Sequence, residues 1–255
     1  MHNQDSIGSS NMSIKFIFAL LAVIAYQGVS CSPMPEASAD GIMEQIQQAL
    51  QKLREILEKA LANAQVVLQE TIEKLKEAAS EIIGEGLGKI IEAIANAKSE
   101  IEKLAEEAAQ VGADISVCLE NVDEDLEAIR QRVSDQLKDC VSAAVTEASN
   151  IVDSAIADLQ EQVGNLITEL GNRVAACGQE EKPLPCLIQA LKDIGKQAVE
   201  LPKVIAAKVV EVVGELQQVQ AKLAECRSTA AINAASESAA VVEKARECIK
   251  SKLPQ

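Results

Sequence analysis

The chain has 255 residues, of which 24 are Lys or Arg and 39 are Asp or Glu, so its formal net charge is −15. This balance argues against nucleic acid as a main partner, because a phosphate backbone is bound by a basic surface. Hydrophobic residues make up 48 % of the chain, and that content argues against intrinsic disorder.

Residues 1–31 are predicted to be a secretory signal peptide with a polar leader. Lys15 precedes an apolar run of eleven residues from Phe16 to Tyr26, and small and polar residues follow that run. A membrane span is the alternative, but it needs about 20 apolar residues. No other stretch of the sequence is long and apolar enough to cross a bilayer, so we expect a secreted, extracellular protein.

Cleavage of the signal peptide is expected after Ser30 or after Cys31. The second position leaves six cysteines, an even number that suits a secreted protein with all its thiols paired. A lipid anchor on Cys31 is an alternative that the neighbouring Gly28 disfavours. Residues 32–40 then form a flexible N terminus, and the mature chain after it contains no Phe, Tyr, Trp or His.

The missing residue types restrict the chemistry of the mature chain. Without His there is no Ser-His-Asp triad, no Cys-His pair and no imidazole metal ligand. The segment from Gly84 to Gly88 lacks the Lys-Ser/Thr of a phosphate-binding loop, and the acidic run from Asp123 to Asp125 lacks the spacing of a calcium loop. We therefore predict a non-enzyme with no catalytic, cofactor-binding or metal-binding residues.

Residues 41–112 are predicted to form N-terminal amphipathic helices. Their apolar residues recur in alternating steps of four and three, the heptad pattern, and the pattern shifts by one residue at Leu68. We expect Gly84 to Gly88 to end the first helix and a second helix to follow from Lys89 to Val111. Gly112 to Asp114 is expected to end that helix and lead into the next.

Residues 113–255 are predicted to form a disulfide-linked helical domain. The predicted parts are a helix from Ile115 to Cys177, a turn from Gly178 to Pro185, a helix from Cys186 that breaks or kinks at Pro202, and a last helix from Lys203 to Leu253. The fold class is therefore all-α, with long amphipathic helices that form an antiparallel helical bundle or coiled coil cross-linked by disulfides.

The six cysteines of the mature chain lie 22, 37, 9, 40 and 22 residues apart, nearly symmetrically about the predicted turn. Two cysteines 22 residues apart on one helix are about 33 Å apart, too far for a disulfide. A chain folded back at the turn brings the cysteines together as the nested pairs Cys118–Cys248, Cys140–Cys226 and Cys177–Cys186. The alternatives are free buried thiols, which an oxidising secretory route disfavours, and a zinc site, which the absence of His disfavours.

The region from Cys118 to Cys248, about half of the chain, resembles the TsetseEP-domain family of insect secreted proteins. The likeness consists of a signal peptide, an Ala/Glu/Gln-rich helical region and widely spaced cysteines, one of them followed by Leu187 and Ile188. The Glu-Pro repeat that names the family is absent. The resemblance implies an insect protein of gut or body fluid without known enzymatic activity, and it supplies no site residues.

These observations predict a secreted, non-enzymatic helical protein of structural or protein-interaction type. Its partner would be an unknown protein or a second copy of the chain, bound through the heptad stripe from Ile46 to Ile82. We favour the alternative that this stripe packs on the protein's own disulfide-linked helices. The alternative is a carrier of lipid or another apolar ligand in a helical bundle. The negative charge and the lack of aromatic residues disfavour an anionic membrane surface as that ligand.

Overall fold

The computed structural model describes residues 39–253, and this part of the chain contains four helices and no strand. In chain order they are α1 (Ala39–Gln110), α2 (Ser116–Leu119), α3 (Val122–Cys177) and α4 (Pro183–Lys252). The prediction of an all-α fold of long helices cross-linked by disulfides is confirmed. The predicted signal peptide and residues 32–38 of the predicted flexible N terminus lie outside the described residues. The prediction is wrong for Ala39 and Asp40, which belong to α1.

The described chain forms two compact units, and each unit contains parts of α1, α3 and α4. Unit 1 consists of residues 39–70 and 151–214, and unit 2 consists of residues 71–150 and 215–253. Each helical segment turns its apolar side inward, as expected of a bundle built from amphipathic helices. The largest fully buried side chains are Ile46, Leu53, Leu57, Leu68, Leu187, Ile194 and Val212 in unit 1 and Ile90, Leu126, Val133, Leu137 and Leu223 in unit 2.

Three disulfides join α4 to α3 or to the short α2. The bonded pairs are Cys118–Cys248, Cys140–Cys226 and Cys177–Cys186, with Cα–Cα distances of 5.6, 5.8 and 5.4 Å. These are the three nested pairs that the cysteine spacing predicts. In unit 2, the earlier cysteine, Cys118, bonds to the later position on α4, Cys248, and the later cysteine, Cys140, bonds to the earlier one, Cys226. α3 and α4 are therefore antiparallel there.

α1 continues without a break through Gly84 to Gly88, so the prediction that this segment ends the first helix is wrong. The close approach of α3 accounts for one of the three glycines, since a Cβ at Gly86 would lie only 2.5 Å from Cδ2 of Leu137. Gly84 and Gly88 face open space. Apolar packing on both sides of the segment outweighs the weak helix propensity of glycine.

The boundaries of α4 also differ from the predicted ones. The helix begins at Pro183, three residues earlier than predicted, and proline suits this first turn because its missing N–H would have no helical partner. Pro202 is buried inside α4, and the helix runs past it to Lys252. Pro202 therefore does not end the helix.

The C terminus of α1 is closed by a Schellman motif, which confirms that the chain leaves the helix at Gly112. The Ala113 N–H donates to the Ala108 carbonyl at 3.2 Å, and the Gly112 N–H donates to the Ala109 carbonyl at 3.0 Å. Gly112 has a φ of +73°, the left-handed conformation that this motif requires and that glycine adopts without a steric penalty.

The buried residues of α3 repeat every eleven residues. Eleven residues make three turns at about 3.7 residues per turn. This value is closer to the 3.6 of a straight α-helix than the about 3.5 residues per turn of a heptad repeat. One buried row consists of Val141, Val152, Val163 and Val174, and another of Leu126, Leu137, Ala148, Leu159 and Leu170.

Candidate functional site

Unit 2 is cross-linked by charged side chains as well as by two disulfides. Ion pairs connect α1, α3 and α4 with one another, and most of the paired side chains are well exposed, so each pair contributes little to stability. In the α1–α4 pairs the residue numbers of both partners rise together, so these helices are parallel. In the α3–α4 pairs one number rises as the other falls, so α3 is antiparallel to α4 and therefore to α1. The pairs are Lys98–Asp123 between α1 and α3, Glu85–Arg227 and Glu100–Arg246 between α1 and α4, and Asp125–Lys244, Arg132–Glu237 and Glu147–Lys222 between α3 and α4.

Unit 1 is held together differently. The Cys177–Cys186 disulfide closes the turn between α3 and α4, and Arg173 Nη1 lies 2.6 Å from Asp193 Oδ2 across the same two helices. Within the described chain, no charged side chain of residues 39–70 forms an ion pair with α3 or α4, and α1 contains no cysteine. Apolar packing is therefore the main force that holds α1 in unit 1.

Two ion pairs of unit 2 shift the pKa values of Lys98 and Glu127. Lys98 Nζ donates a hydrogen bond to Asp123 Oδ1 at 2.7 Å, and this bond raises the pKa of Lys98. Arg130 Nε donates to Glu127 Oε2 at 2.7 Å, and the hydrogen bonds from Arg130 lower the pKa of Glu127. Both shifts favour the charged forms, so these groups act as fixed charges and are poorly suited to transfer protons near neutral pH.

The connection between α1 and α2 is organised by Asp114. Its Oδ1 accepts hydrogen bonds from the Ser116 hydroxyl at 2.8 Å and from the Ser116 N–H at 3.1 Å, and these bonds lower the pKa of Asp114. Ile115 is buried beside Ile249 of α4, and Cys118 packs against this small apolar cluster. The Cys118–Cys248 disulfide thus fastens the C-terminal end of α4 to the short α2.

The two segments examined in the sequence for a phosphate-binding or calcium-binding pattern, Gly84 to Gly88 and Asp123 to Asp125, are both helical. The segment from Gly84 to Gly88 is helical and therefore offers no phosphate-binding loop. Asp123 and Asp125 lie in the first turn of α3, where they pair with Lys98 and Lys244. Between residues 39 and 253, no group of three or more His, Cys, Asp or Glu side chains is placed to hold a metal ion.

None of the helices in this range has the length and hydropathy that a membrane span requires.

Unit 1 exposes a row of aliphatic side chains on α4. Ile188, Val199 and Val210 are eleven residues apart, which places them on one side of the helix. Val199 is 53 % exposed and Val210 is 49 % exposed, whereas Ile188 is half-buried. These aligned aliphatic side chains form a candidate contact for a partner. Sequence reasoning missed this row because the exposed Val210 follows the buried Val209, and the sequence alone does not show which of two adjacent valines faces solvent.

Comparison of the chain with models of known protein families, with curated proteins and with solved structures found no match.

Proposed function

We propose that this protein is a secreted, non-enzymatic helical protein that acts by binding another protein or a second copy of itself. Secretion is supported by the signal-peptide pattern of residues 1–31 and by the three disulfides, which are typical of proteins that fold in an oxidising compartment. The resemblance to the TsetseEP-domain family supports an insect gut or body fluid as its location.

The observation that carries the binding role is the aliphatic row on α4. Val199 and Val210 each leave about half of an apolar side chain in water, although Ile205 and Val212 of the same helix are buried. Covering such a row with another apolar surface is favourable by about 25 cal/mol for each Å² of apolar area removed from water. A partner with an aliphatic helical face would match this row.

The first test is the native mass of the secreted, oxidised protein, compared with its covalent mass under denaturing conditions. A complex with a protein partner, or a whole-number multiple of the covalent mass, is the expected result. A monomer that retains no protein from its source fluid would contradict the binding role.

A pair of variants locates the contact. Replacing Val199 and Val210 together by Lys is expected to dissociate the complex without unfolding the chain, since both side chains are exposed. The matched control replaces Gln217 and Gln220, two exposed polar residues of the same helix, by Lys, so that the added charge is equal. Equal loss of the complex in both variants would mean that charge, and not the aliphatic row, controls assembly.

A carrier of lipid or another apolar ligand is the second candidate. It is favoured by the absence of cysteine from α1, because the bundle can then open between α1 and the other helices with every disulfide intact. In the native-mass experiment, a small apolar molecule that leaves on denaturation would favour this function over protein binding.

A further inference from the structure

α1 contains two glycines whose positions the packing does not explain. Gly84 and Gly88 are exposed, and a Cβ at either position would meet no atom within 4 Å. Glycine in a helix interior is destabilising relative to alanine because it loses more backbone freedom on folding. Of the three glycines in this five-residue segment, Gly86 alone is needed for close packing, so the other two leave a weak point in the middle of α1.

The weak point coincides with a change in how α1 is attached to the other helices. From Glu85 onward α1 forms three ion pairs with them, through Glu85, Lys98 and Glu100. Residues 39–83, which we name the arm, form no ion pair with α3 or α4 in the described chain, and they contain no cysteine. The arm is held mainly by its buried aliphatic residues.

We propose that the arm opens at a hinge formed by Gly84 to Gly88 and exchanges with the arm of a second copy of this chain. The inference goes beyond the proposed function, which places the contact on the exposed aliphatic row of α4, because exchange uses the buried side chains of the arm and is a separate route to self-association. α3 and α4 stay covalently joined while the arm is open, through the Cys140–Cys226 and Cys177–Cys186 disulfides.

The face of α3 and α4 that the open arm leaves is best covered by the arm of a second copy of this chain. The face that the arm leaves is shaped by the buried side chains of the arm, such as Ile46, Leu53 and Leu57, and a second copy presents the same side chains at the same spacing. Exchange therefore restores the apolar packing that opening disrupts, which makes it a low-cost route to a dimer. An anionic lipid surface suits the arm poorly, because the arm has eight acidic and five basic residues and no aromatic residue.

The exchange can be tested with a mixture of ordinary and heavy-isotope-labelled protein, both fully oxidised. The mixture is warmed at high concentration and cooled, and monomer and dimer are separated and treated with an amine cross-linker. Cross-links that join arm residues such as Lys52 and Lys59 to α4 within one copy of the monomer are expected to join a light copy to a heavy copy in the dimer. Hydrogen exchange of the monomer is expected to be faster in the arm than in residues 89–110.

Three results would overturn the exchange. A dimer whose arm cross-links stay within one copy would refute it while leaving surface self-association, and with it the proposed function, intact. A strict monomer with equal amide protection in the arm and in residues 89–110 would refute the opening itself. An arm that opens and binds a small apolar molecule without forming a dimer would favour the carrier function.

The hinge is tested by replacing Gly84 and Gly88 together by Ala. Because each alanine favours the closed helix, the two changes are expected to lower the open population, and with it the initial rate of dimer formation, about five- to thirty-fold. The matched control replaces Gly164 and Gly195 by Ala, since these are exposed helical glycines of α3 and α4 that also face open space. An equal decrease in both double variants would show that general helix stability, and not the hinge, sets the rate.

Discussion

Replacing Gly86 by Ala tests how closely α1 and α3 approach each other in unit 2. The new Cβ would lie 2.5 Å from Cδ2 and 3.4 Å from Cδ1 of Leu137. Leu137 is only 1 % exposed, so its side chain cannot avoid the overlap by turning into solvent. Either Leu137 leaves its rotamer or the two helices move apart.

The flanking glycines provide the reference for this substitution. Ala at Gly84 or Gly88 meets no atom and is expected to raise the free energy of unfolding by about 0.5–1 kcal/mol for each position. Ala at Gly86 has the same effect on the unfolded chain, but overpacking of a filled core costs about 1–3 kcal/mol. We therefore expect Gly86→Ala to lower the free energy of unfolding by about 1 kcal/mol, a clear difference in sign from its neighbours.

The assay is denaturant unfolding followed by far-ultraviolet circular dichroism, because residues 39–253 contain no aromatic side chain to give a fluorescence signal. The midpoint is expected to fall for Gly86→Ala and to rise for Gly84→Ala and Gly88→Ala. In the Gly86→Ala background, truncation of Leu137 to Ala should cost less than in the original chain, since it removes the overlap.

A Gly86→Ala variant as stable as Gly84→Ala would refute the close contact between α1 and α3 at this point. Additive effects of Gly86→Ala and Leu137→Ala would refute it independently, because residues in contact are expected to couple.

Three further predictions concern other parts of the molecule. Joint replacement of Cys140 and Cys226, which are 86 residues apart, by Ala should lower the free energy of unfolding in denaturant by about 3–5 kcal/mol. If removal of the Cys177–Cys186 disulfide, whose cysteines are nine residues apart, lowered it more, the loop-entropy reasoning would be contradicted. Leu57→Ala in the core of unit 1 should cost about 2–5 kcal/mol in the same assay, and a cost near zero would mean that Leu57 is not packed as described. Hydrogen bonds from Ser116 lower the pKa of Asp114 from 3.8, so their stabilising effect is present above about pH 4 and is lost as the pH falls through the folded pKa. Melting temperatures should therefore separate the original chain from Asp114→Ala near neutral pH and converge in strong acid, and a gap independent of pH would contradict this account.

The pairing of α3 with α4 could be predicted from the sequence because the cysteines constrain distant parts of the chain. The predicted continuous helix from Ile115 to Cys177 held Cys118 and Cys140 too far apart to bond, and the near-symmetric spacing then favoured the nested pairs. The structure interrupts that helix between α2 and α3, yet the disulfides still form as the nested pairs. The position of α1 had no such constraint, since that helix contains no cysteine. Its apolar pattern indicated a buried face without indicating which helices cover it.

The prediction at Gly84 to Gly88 failed because local propensity competes with packing over many turns. Three glycines within five residues favour a break when the segment is considered alone. In the folded chain, Ile90 and Leu75 lie buried on either side, and a continuous helix keeps both in the core. The close approach of Leu137 to Gly86 depends on α3, which lies about fifty residues further along the chain, and no local pattern records it.

The nested disulfides also determine what a protease can do to this protein. The turn at residues 178–182 is exposed, but it lies inside all three disulfide loops, so a cut there leaves both ends covalently joined. A cut in α1 lies outside every loop and releases the preceding fragment. A glutamate-specific protease acting at Glu180 or Glu181 would thus produce a nicked molecule that separates into two pieces only after reduction. Any single cut between Cys118 and Cys248 therefore leaves one covalent molecule, whereas a single cut before Cys118 releases an N-terminal fragment.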